Sequence, residues 1–90
     1  MKWFYKNVPY FGIVALSQQA QRQARKRSIS DKEIADALYF GKQRRIDYGR
    51  AVEFDGVQLK IIRPKGKAID LVSNVKRVNF YSLWHAVMEA

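Results

Sequence analysis

The sequence contains no cysteine and only one histidine, His85. A chain without cysteine forms no disulfide framework, no thiolate zinc site and no cysteine nucleophile. One histidine is also too few for a multi-histidine metal site. We therefore expect neither a metal nor another cofactor in this protein.

Long apolar runs are missing as well. A helix that crosses a membrane needs ~18 or more apolar residues in a row, and the most apolar stretch, residues 8–16, is interrupted by Pro9 and Gly12. The stretch is also a poor signal peptide, because Pro9 and the aromatic residues 3–5 suit one badly. These features predict a cytoplasmic protein that has no membrane partner.

Acidic residues are scarce. The 90 residues include 17 Lys and Arg against 8 Asp and Glu, which gives a formal net charge of +9, and the first 30 residues contain no acid. A chain of this length forms one small domain, and its charge selects polyanions as partners. The expected partner is RNA or single-stranded nucleic acid, or else an acidic protein.

The second of two predicted helices has the clearest local signal. Ser30 and Glu33 form a capping box, in which Ser30 accepts from the backbone N–H of residue 33 and Glu33 accepts from that of residue 30. The helix should end near Phe40, with Gly41 as a left-handed C-cap.

An earlier helix is predicted from its N-cap, Ser17, to about Arg27. Its apolar stripe is narrow and consists of Leu16, Ala20 and Ala24. Such small side chains permit close packing against the second helix. The outer face of this first helix is basic and does not belong to the core.

From residue 43 the sequence changes to the two-residue period of β-strands, with turn signals such as Asp55-Gly56. Four strands are predicted, at about 43–48, 50–54, 57–63 and 68–75. Consecutive hairpins would join them into an antiparallel meander, with Val57, Leu59 and Ile61 facing inward. The pattern of the last strand fits burial of either face.

Both ends of the chain are rich in aromatic residues. An apolar stripe with helical spacing follows Asn79, a candidate N-cap, and predicts a helix over 79–90. The stripe consists of Phe80, Leu83, Trp84, Val87 and Met88. Residues 2–10 are either an extra edge strand or a packed arm. The C-terminal stripe could close the core of the domain, as such stripes more often do, or contact another protein. Each end also offers a surface through which the chain could form an oligomer.

The expected fold class is α+β. Two N-terminal helices would pack on a roughly four-stranded antiparallel sheet, with a C-terminal amphipathic helix. We expect one domain over 1–90, made of an aromatic N-terminal arm (1–15), a helix-helix-sheet core (16–75) and the C-terminal helix (79–90). A chain this short has a large surface relative to its core, which favours marginal stability or a stabilising partner.

Basic residues occur in clusters, and each cluster is a candidate contact for phosphates. The candidates for nucleic-acid binding are Arg22, Arg25, Lys26, Arg27, Arg44, Arg45, Lys60, Arg63, Lys65, Lys76 and Arg77. A charged helix face can also be merely solvated. Because neighbours on a strand point to opposite faces, Arg44 and Arg45 do not both line one groove. Tyr48 adds an aromatic side chain on which a base could stack.

His85 and Tyr81 form an i, i+4 pair on the predicted C-terminal helix and are candidates for acid-base catalysis. A lone histidine without a carboxylate to orient it is more often an incidental surface residue. The sequence has no recognisable pair of catalytic carboxylates and no glycine-rich phosphate loop. Glycosidase, nucleotide hydrolase and metalloprotease functions are therefore excluded.

Residues 16–41 resemble a bacterial and phage family of small uncharacterised domains, whose opening reads roughly Ser-x-His-Ala-x-x-Arg-x-x-x-Arg-Gly-Ile-Ser. The matching positions are Ala20, Arg27, Ile29, Ser30 and Gly41. The architecture of that family, a helical pair followed by antiparallel strands, has been compared with RelE-like and BrnT-like ribonuclease toxins. The resemblance implies such a fold over residues 16–75, and it adds Arg27 and the strand residue Ser73 to the catalytic candidates.

Three departures from the family pattern affect the expected chemistry. Gln19 stands in place of the histidine, Gln23 in place of the first arginine and Ser28 in place of the glycine. A glutamine amide forms hydrogen bonds but does not exchange a proton near neutral pH. We therefore expect a catalytically silent, nucleic-acid-associated binding protein on a RelE-like scaffold, such as a phage or mobile-element inhibitor of a bacterial nucleic-acid-handling complex.

A metal-independent ribonuclease of a toxin-antitoxin system is the alternative. In that case Arg27 and neighbouring bases would stabilise a pentavalent phosphate while a 2′-hydroxyl attacks it. The enzyme would be an endoribonuclease, and its acidic partner would be an antitoxin. A ribosome-associated protein is a third option.

Overall fold

The structure, a computed structural model, describes residues 2–66 and 68–78. Its elements are β1 (Phe4–Val8), β2 (Gly12–Leu16), α1 (Gln18–Lys26), α2 (Asp31–Phe40), β3 (Lys42–Ile46), β4 (Gly49–Phe54), β5 (Val57–Ile62) and β6 (Asp70–Arg77). The predicted C-terminal helix, with its candidate residues Tyr81 and His85, lies outside the described residues.

The six strands form one mixed sheet in the order β1-β2-β6-β5-β4-β3. Neighbouring strands are antiparallel except β2 and β6, which pair in parallel with Leu16 opposite Val72. The prediction of a four-stranded antiparallel sheet with three helices is therefore wrong. The four predicted strands correspond to β3–β6, and the described residues add the hairpin of β1 and β2.

Sequence patterns do not predict the N-terminal hairpin of β1 and β2, for two physical reasons. A register shift between Tyr5 and Val8 breaks the two-residue alternation in β1, so these two buried side chains lie three positions apart. The parallel pairing of β2 with β6 also joins segments that are separated by both helices and three strands, and no turn signal indicates such a contact. Of the two alternatives for residues 2–10, the structure shows the edge strand.

The hydrophobic core lies between the two helices and one face of the sheet. Helix α1 packs on β2 and β6, and α2 packs on β1, β4 and β5. As predicted, Ala20 and Ala24 of α1 and Val57, Leu59 and Ile61 of β5 are buried in this core. The prediction that the alanine stripe packs against the second helix is wrong, because the main contact of α1 is with β6. The inward face of α1 carries only alanine, so its backbone lies close to that strand. The opposite face of the sheet carries no helix among the described residues.

Helix α1 ends in a Schellman motif built around a serine. The backbone N–H of Ile29 donates to the carbonyl of Ala24 (2.8 Å), and that of Ser28 donates to Arg25 (3.2 Å), the hydrogen-bond pattern of this C-cap. Ser28 has a φ of 54°. The left-handed region costs an L-residue ~1–2 kcal/mol that glycine avoids, so the end of α1 is strained.

Helix α2 begins and ends where predicted, at Asp31 and Phe40, but its C-cap has a different conformation. Its capping box is confirmed, since Ser30 Oγ accepts from the N–H of Glu33 and Glu33 Oε1 accepts from the N–H of Ser30, both at 3.1 Å. The left-handed C-cap at Gly41 is wrong, because its φ is −71°. A Cβ at this position would lie 2.3 Å from the carbonyl oxygen of Ala37. Glycine is needed there for a close backbone approach.

Candidate nucleic-acid interface

The structure contains a basic cleft at one end of the sheet, which we call the arginine cleft. The β1–β2 turn, the β3–β4 turn and the segment after β5 surround it. Its polar lining comes from Tyr10, Arg45, Asp47, Arg50, Arg63 and Asp70. Its volume is about 680 Å³, which falls within the range of ~300–1,000 Å³ that is typical of ligand pockets.

The β3–β4 hairpin places two arginines side by side in the cleft. In its register Arg45 is directly opposite Arg50, and Arg50 is opposite the core residue Ile61 of β5. Both arginines therefore lie on the helix-side face of the sheet. Gly49 permits this arrangement, because a Cβ there would lie 2.1 Å from the carbonyl oxygen of Ile61. Like charges directly opposite each other destabilise a sheet, so the pair favours an anion between or above the two guanidinium groups.

Tyr10 holds Arg50 from the other side of the cleft. The guanidinium carbon of Arg50 lies 4.1 Å from the centre of the Tyr10 ring, and Arg50 Nη2 donates to the Tyr10 hydroxyl. The contact joins the β1–β2 turn to β4, although β6 and β5 lie between β2 and β4 in the sheet. The turn thus reaches over the helix-side face and closes the cleft.

Arg63 is oriented by a carboxylate. Arg63 Nε and Nη2 donate to the two oxygens of Asp70, each at 3.1 Å, and Asp70 is 6% exposed. The hydrogen bond to Asp70 raises the pKa of Arg63 above its ordinary value. Arg45, by contrast, has no ion-pair partner within residues 2–66 and 68–78. Of the three arginines that line the cleft, only Arg63 forms an ion pair within the described residues, and the second carboxylate of the lining, Asp47, forms none there.

The basic residues of α1 form a second surface, which we call the α1 face. It consists of Arg22, Arg25 and Lys26 with Arg27 at the helix end, all of them exposed. The carbonyl of Arg27 accepts from Arg77 Nε at 3.3 Å, at the end of β6 opposite to Asp70. Seven residue steps along a strand span ~23 Å. Arg27, at the end of the α1 face, therefore lies at the opposite end of β6 from the arginine cleft.

A third set of candidate residues lies on the helix-free face of the sheet. Arg44 is opposite Ala51, Ala51 is opposite Lys60, and Lys76 is opposite Gln58, so these bases share a face that Arg45 does not. This agrees with the expected separation of Arg44 from Arg45. Lys65 lies exposed in the turn between β5 and β6.

The guanidinium group of Arg77 is engaged in contacts within the protein. Its Nη1 lies 2.8 Å from Glu33 Oε2, and its Nη2 donates to the carbonyl of Ser28 at 2.9 Å. The hydrogen bond from Arg77 lowers the pKa of Glu33, with further help from Ser30. These bonds tie the end of β6 to the segment that joins α1 and α2.

The residues suggested by the family resemblance are also dispersed. Ser73 Oγ donates to the carbonyl of Lys60 (3.3 Å) next to an irregularity in the β5–β6 register. Gln23 Oε1 accepts from the backbone N–H of Val75 (2.7 Å), where α1 rather than a strand lies beside β6. Gln19 is exposed on α1. Gln23 and Ser73 therefore stabilise β6, and the structure does not bring Ser73 and Arg27 into one contact.

Sequence reasoning included Arg45 and Arg63 but missed Tyr10, Arg50 and Asp70 as cleft residues. The position of Arg50 opposite Arg45 follows from a turn at Asp47-Tyr48, whereas the sequence signal at Tyr48-Gly49 would have placed Arg50 opposite Asp47. Tyr10 and Asp70 had no such signal, since their positions depend on how the hairpin of β1 and β2 reaches over the sheet.

No family model, curated protein or solved structure matches this chain. Within the described residues no helix is long and apolar enough to cross a membrane. The same part of the chain contains no group of three or more His, Asp or Glu side chains that could hold a metal ion.

Proposed function

We propose that this protein binds RNA or single-stranded DNA through the arginine cleft and does not cleave it efficiently. The observation that carries the proposal is the juxtaposition of Arg45 and Arg50 across the β3–β4 hairpin, with Arg63 in the same cleft. A guanidinium group binds phosphate through two parallel hydrogen bonds, and such contacts do not depend on base sequence.

The electrostatics of the cleft support a phosphate ligand. Two guanidinium groups on facing positions repel each other, and a phosphate relieves this repulsion when it binds. Arg50 is already oriented by Tyr10, and Arg63 by Asp70. Side chains that are fixed before binding lose less conformational entropy when the ligand arrives. The net charge of +9 then adds long-range attraction for any polyanion.

The absence of efficient cleavage is proposed from the side chains that are candidates for proton transfer. General acid-base catalysis usually contributes ~10²- to 10⁴-fold to the rate. The only histidine of the sequence is His85, and Gln19 provides an amide that does not transfer protons. Asp70 already accepts both hydrogen bonds from Arg63. The proposed kinship with the ribonuclease-toxin-like family therefore implies a scaffold that binds without cutting.

One observation favours the alternative function, a metal-independent ribonuclease. The hydroxyl of Tyr10 contacts the guanidinium group of Arg50 inside a cleft that is suited to phosphates, and a tyrosine hydroxyl can act as a general acid or base. Incubation of an unstructured RNA with the wild-type protein in EDTA tests this function. Cleavage that disappears in Tyr10→Phe would establish the ribonuclease, whereas intact RNA that stays bound supports the silent protein.

The binding proposal is tested with two double variants that remove the same charge. Arg45→Gln/Arg50→Gln changes the cleft, and Arg22→Gln/Arg25→Gln changes the α1 face. Fluorescence anisotropy with a labelled unstructured RNA measures the affinity at about 50 and about 200 mM salt. We expect the cleft variant to lose at least tenfold in affinity at both salt concentrations and the α1 variant to lose less. Equal losses would contradict the assignment of binding to the cleft.

Folding of the variants is checked separately. Arg45 has no ion-pair partner among the described residues, so Arg45→Gln alone should keep the thermal unfolding midpoint of the wild type. A loss of affinity in this single variant at an unchanged midpoint attributes the effect to binding. If no RNA or single-stranded DNA binds even at low salt, the nucleic-acid proposal is wrong and an acidic protein is the remaining partner.

A further inference from the structure

Tyr10 is an exposed aromatic residue in an unusual backbone conformation. Its φ is 74° and its side chain is 69% exposed. Residues other than glycine, asparagine and aspartate rarely adopt this region, and such outliers are frequent at ligand sites. The β1–β2 turn thus holds a large aromatic ring in solvent at the edge of the arginine cleft, where it contacts Arg50.

The contacts of the Tyr10 ring leave room for a ligand. Arg50 covers the ring at 4.1 Å from its centre. Phe11 meets it at an angle of 78° with 5.3 Å between ring centres, and this arrangement is edge-on. Because Tyr10 is 69% exposed despite these two contacts, most of its aromatic surface lies in solvent, and an exposed aromatic surface of this kind can stack with a base.

We propose that Tyr10 is the stacking platform for one unpaired base whose neighbouring phosphate binds Arg45 and Arg50. The inference rests on the proposed function and specifies its ligand as single-stranded nucleic acid. Arg50 is shared between the ring and the phosphate, so that it links the two halves of the nucleotide site. In a duplex the faces of the bases are stacked on each other and are not available to a side chain, so the cleft discriminates against duplexes.

The structure distinguishes Tyr10 from the exposed tyrosine of the β3–β4 turn. Tyr48, which the sequence suggested for stacking, is 86% exposed in the β3–β4 turn. It does not line the arginine cleft, and no aromatic or cation contact holds its ring within the described structure. Tyr48 is therefore the matched control for an exposed tyrosine in a neighbouring turn.

The test compares three variants, Tyr10→Asn, Tyr10→Phe and Tyr48→Ala. Asparagine is chosen at position 10 because it tolerates a left-handed backbone and keeps the turn. Anisotropy is measured with an unstructured RNA and with a duplex RNA of equal length. Base stacking on an aromatic side chain commonly contributes ~1–3 kcal/mol per base, so Tyr10→Asn should lose about tenfold for the single strand and little for the duplex. Tyr10→Phe and Tyr48→Ala should keep nearly all of the affinity.

Each other outcome has a definite meaning. If Tyr10→Phe loses as much as Tyr10→Asn, or if Tyr10→Asn weakens both ligands equally, Tyr10 only positions Arg50 and the stacking proposal is wrong. If Tyr48→Ala has the larger effect, the platform is Tyr48. If Tyr10→Asn binds normally while Arg45→Gln does not, the stacking proposal fails and the cleft proposal stands. If Arg45→Gln also binds normally, the proposed function itself fails.

Discussion

The arginine cleft and the α1 face are both basic, but they differ in how their side chains are held. In the cleft, Arg50 is fixed by Tyr10 and Arg63 by Asp70. Arg45 forms no ion pair among the described residues, like Arg22 and Arg25 on the α1 face, but it lies directly opposite the fixed Arg50. Oriented guanidinium groups recognise the geometry of a phosphate, whereas mobile ones attract any anion and are screened by salt. Charge alone therefore does not identify the binding surface.

The largest predicted effect comes from reversing one charge on each surface. Arg45→Glu should reduce the affinity for an unstructured RNA by more than tenfold. It removes a hydrogen bond to phosphate, and a hydrogen bond to a charged group contributes ~1.5–3 kcal/mol. It also places a carboxylate beside the bound phosphate. Arg25→Glu changes the net charge equally and should cost only a few-fold. Anisotropy at about 200 mM salt measures both. A greater loss for Arg25→Glu would show that the α1 face, and not the arginine cleft, is the main binding surface.

The second prediction concerns the carboxylate of the cleft. Asp70→Asn should lower the free energy of unfolding by about 1–2 kcal/mol, since it leaves a buried amide beside Arg63 in place of a charge-assisted pair; the exposure of Arg63 keeps the loss moderate. The same change removes the carboxylate that orients Arg63, so the affinity for an unstructured RNA should fall although the cleft loses a negative charge. Urea denaturation and anisotropy follow the two effects. An unchanged or higher affinity would contradict this role of Asp70.

The third prediction tests the opposite end of the molecule. Ser28→Gly should raise the free energy of unfolding by about 1 kcal/mol, because glycine adopts the left-handed φ at the end of α1 without strain. RNA affinity should stay the same, since residue 28 is far from the cleft. Ser30→Gly, which changes the neighbouring N-cap, is the control and should be neutral or destabilising. A change in affinity in Ser28→Gly would show that the two ends are coupled.

The smallest predicted effect is a pH dependence at Glu33. The pKa of Glu33 is lowered in the folded protein, chiefly by its hydrogen bond with Arg77. Its contribution to stability is therefore complete above the unfolded pKa of ~4.3 and is lost as the pH falls through the lower folded pKa. Both partners are substantially exposed, so the effect should stay below about 1 kcal/mol. Thermal unfolding of the wild type and Glu33→Gln between neutral and acidic pH should converge, and parallel curves would contradict the assignment.

Local signals account for much of the chain, and non-local contacts account for what they miss. The capping box at Ser30, the alanine stripe of α1 and the turn at Asp55-Gly56 each depend on neighbours in sequence, and each is confirmed. The hairpin of β1 and β2 depends on a bulge and on parallel pairing with β6. No periodicity in residues 2–16 indicates either of them.

The candidate site likewise combines residues that local sequence signals indicate with residues that only non-local contacts bring into place. Arg45 and Arg63 were included because basic clusters are visible in the sequence. Tyr10 was missed because its contact with Arg50 spans forty residues and arises only when the β1–β2 turn reaches over the sheet. Charge is thus readable from sequence, whereas the partner that orients each charge comes from the fold.

The most direct test of the cleft observes the arginine side chains themselves. In an NMR titration of the full chain with an unstructured RNA, each guanidinium Nε–H reports its own contact. We expect the signals of Arg45 and Arg50 to shift first and to saturate together at about 200 mM salt, while those of Arg22 and Arg25 shift only at low salt. Saturating shifts of Arg22 and Arg25 with unchanged Arg45 and Arg50 would contradict the assignment of binding to the arginine cleft.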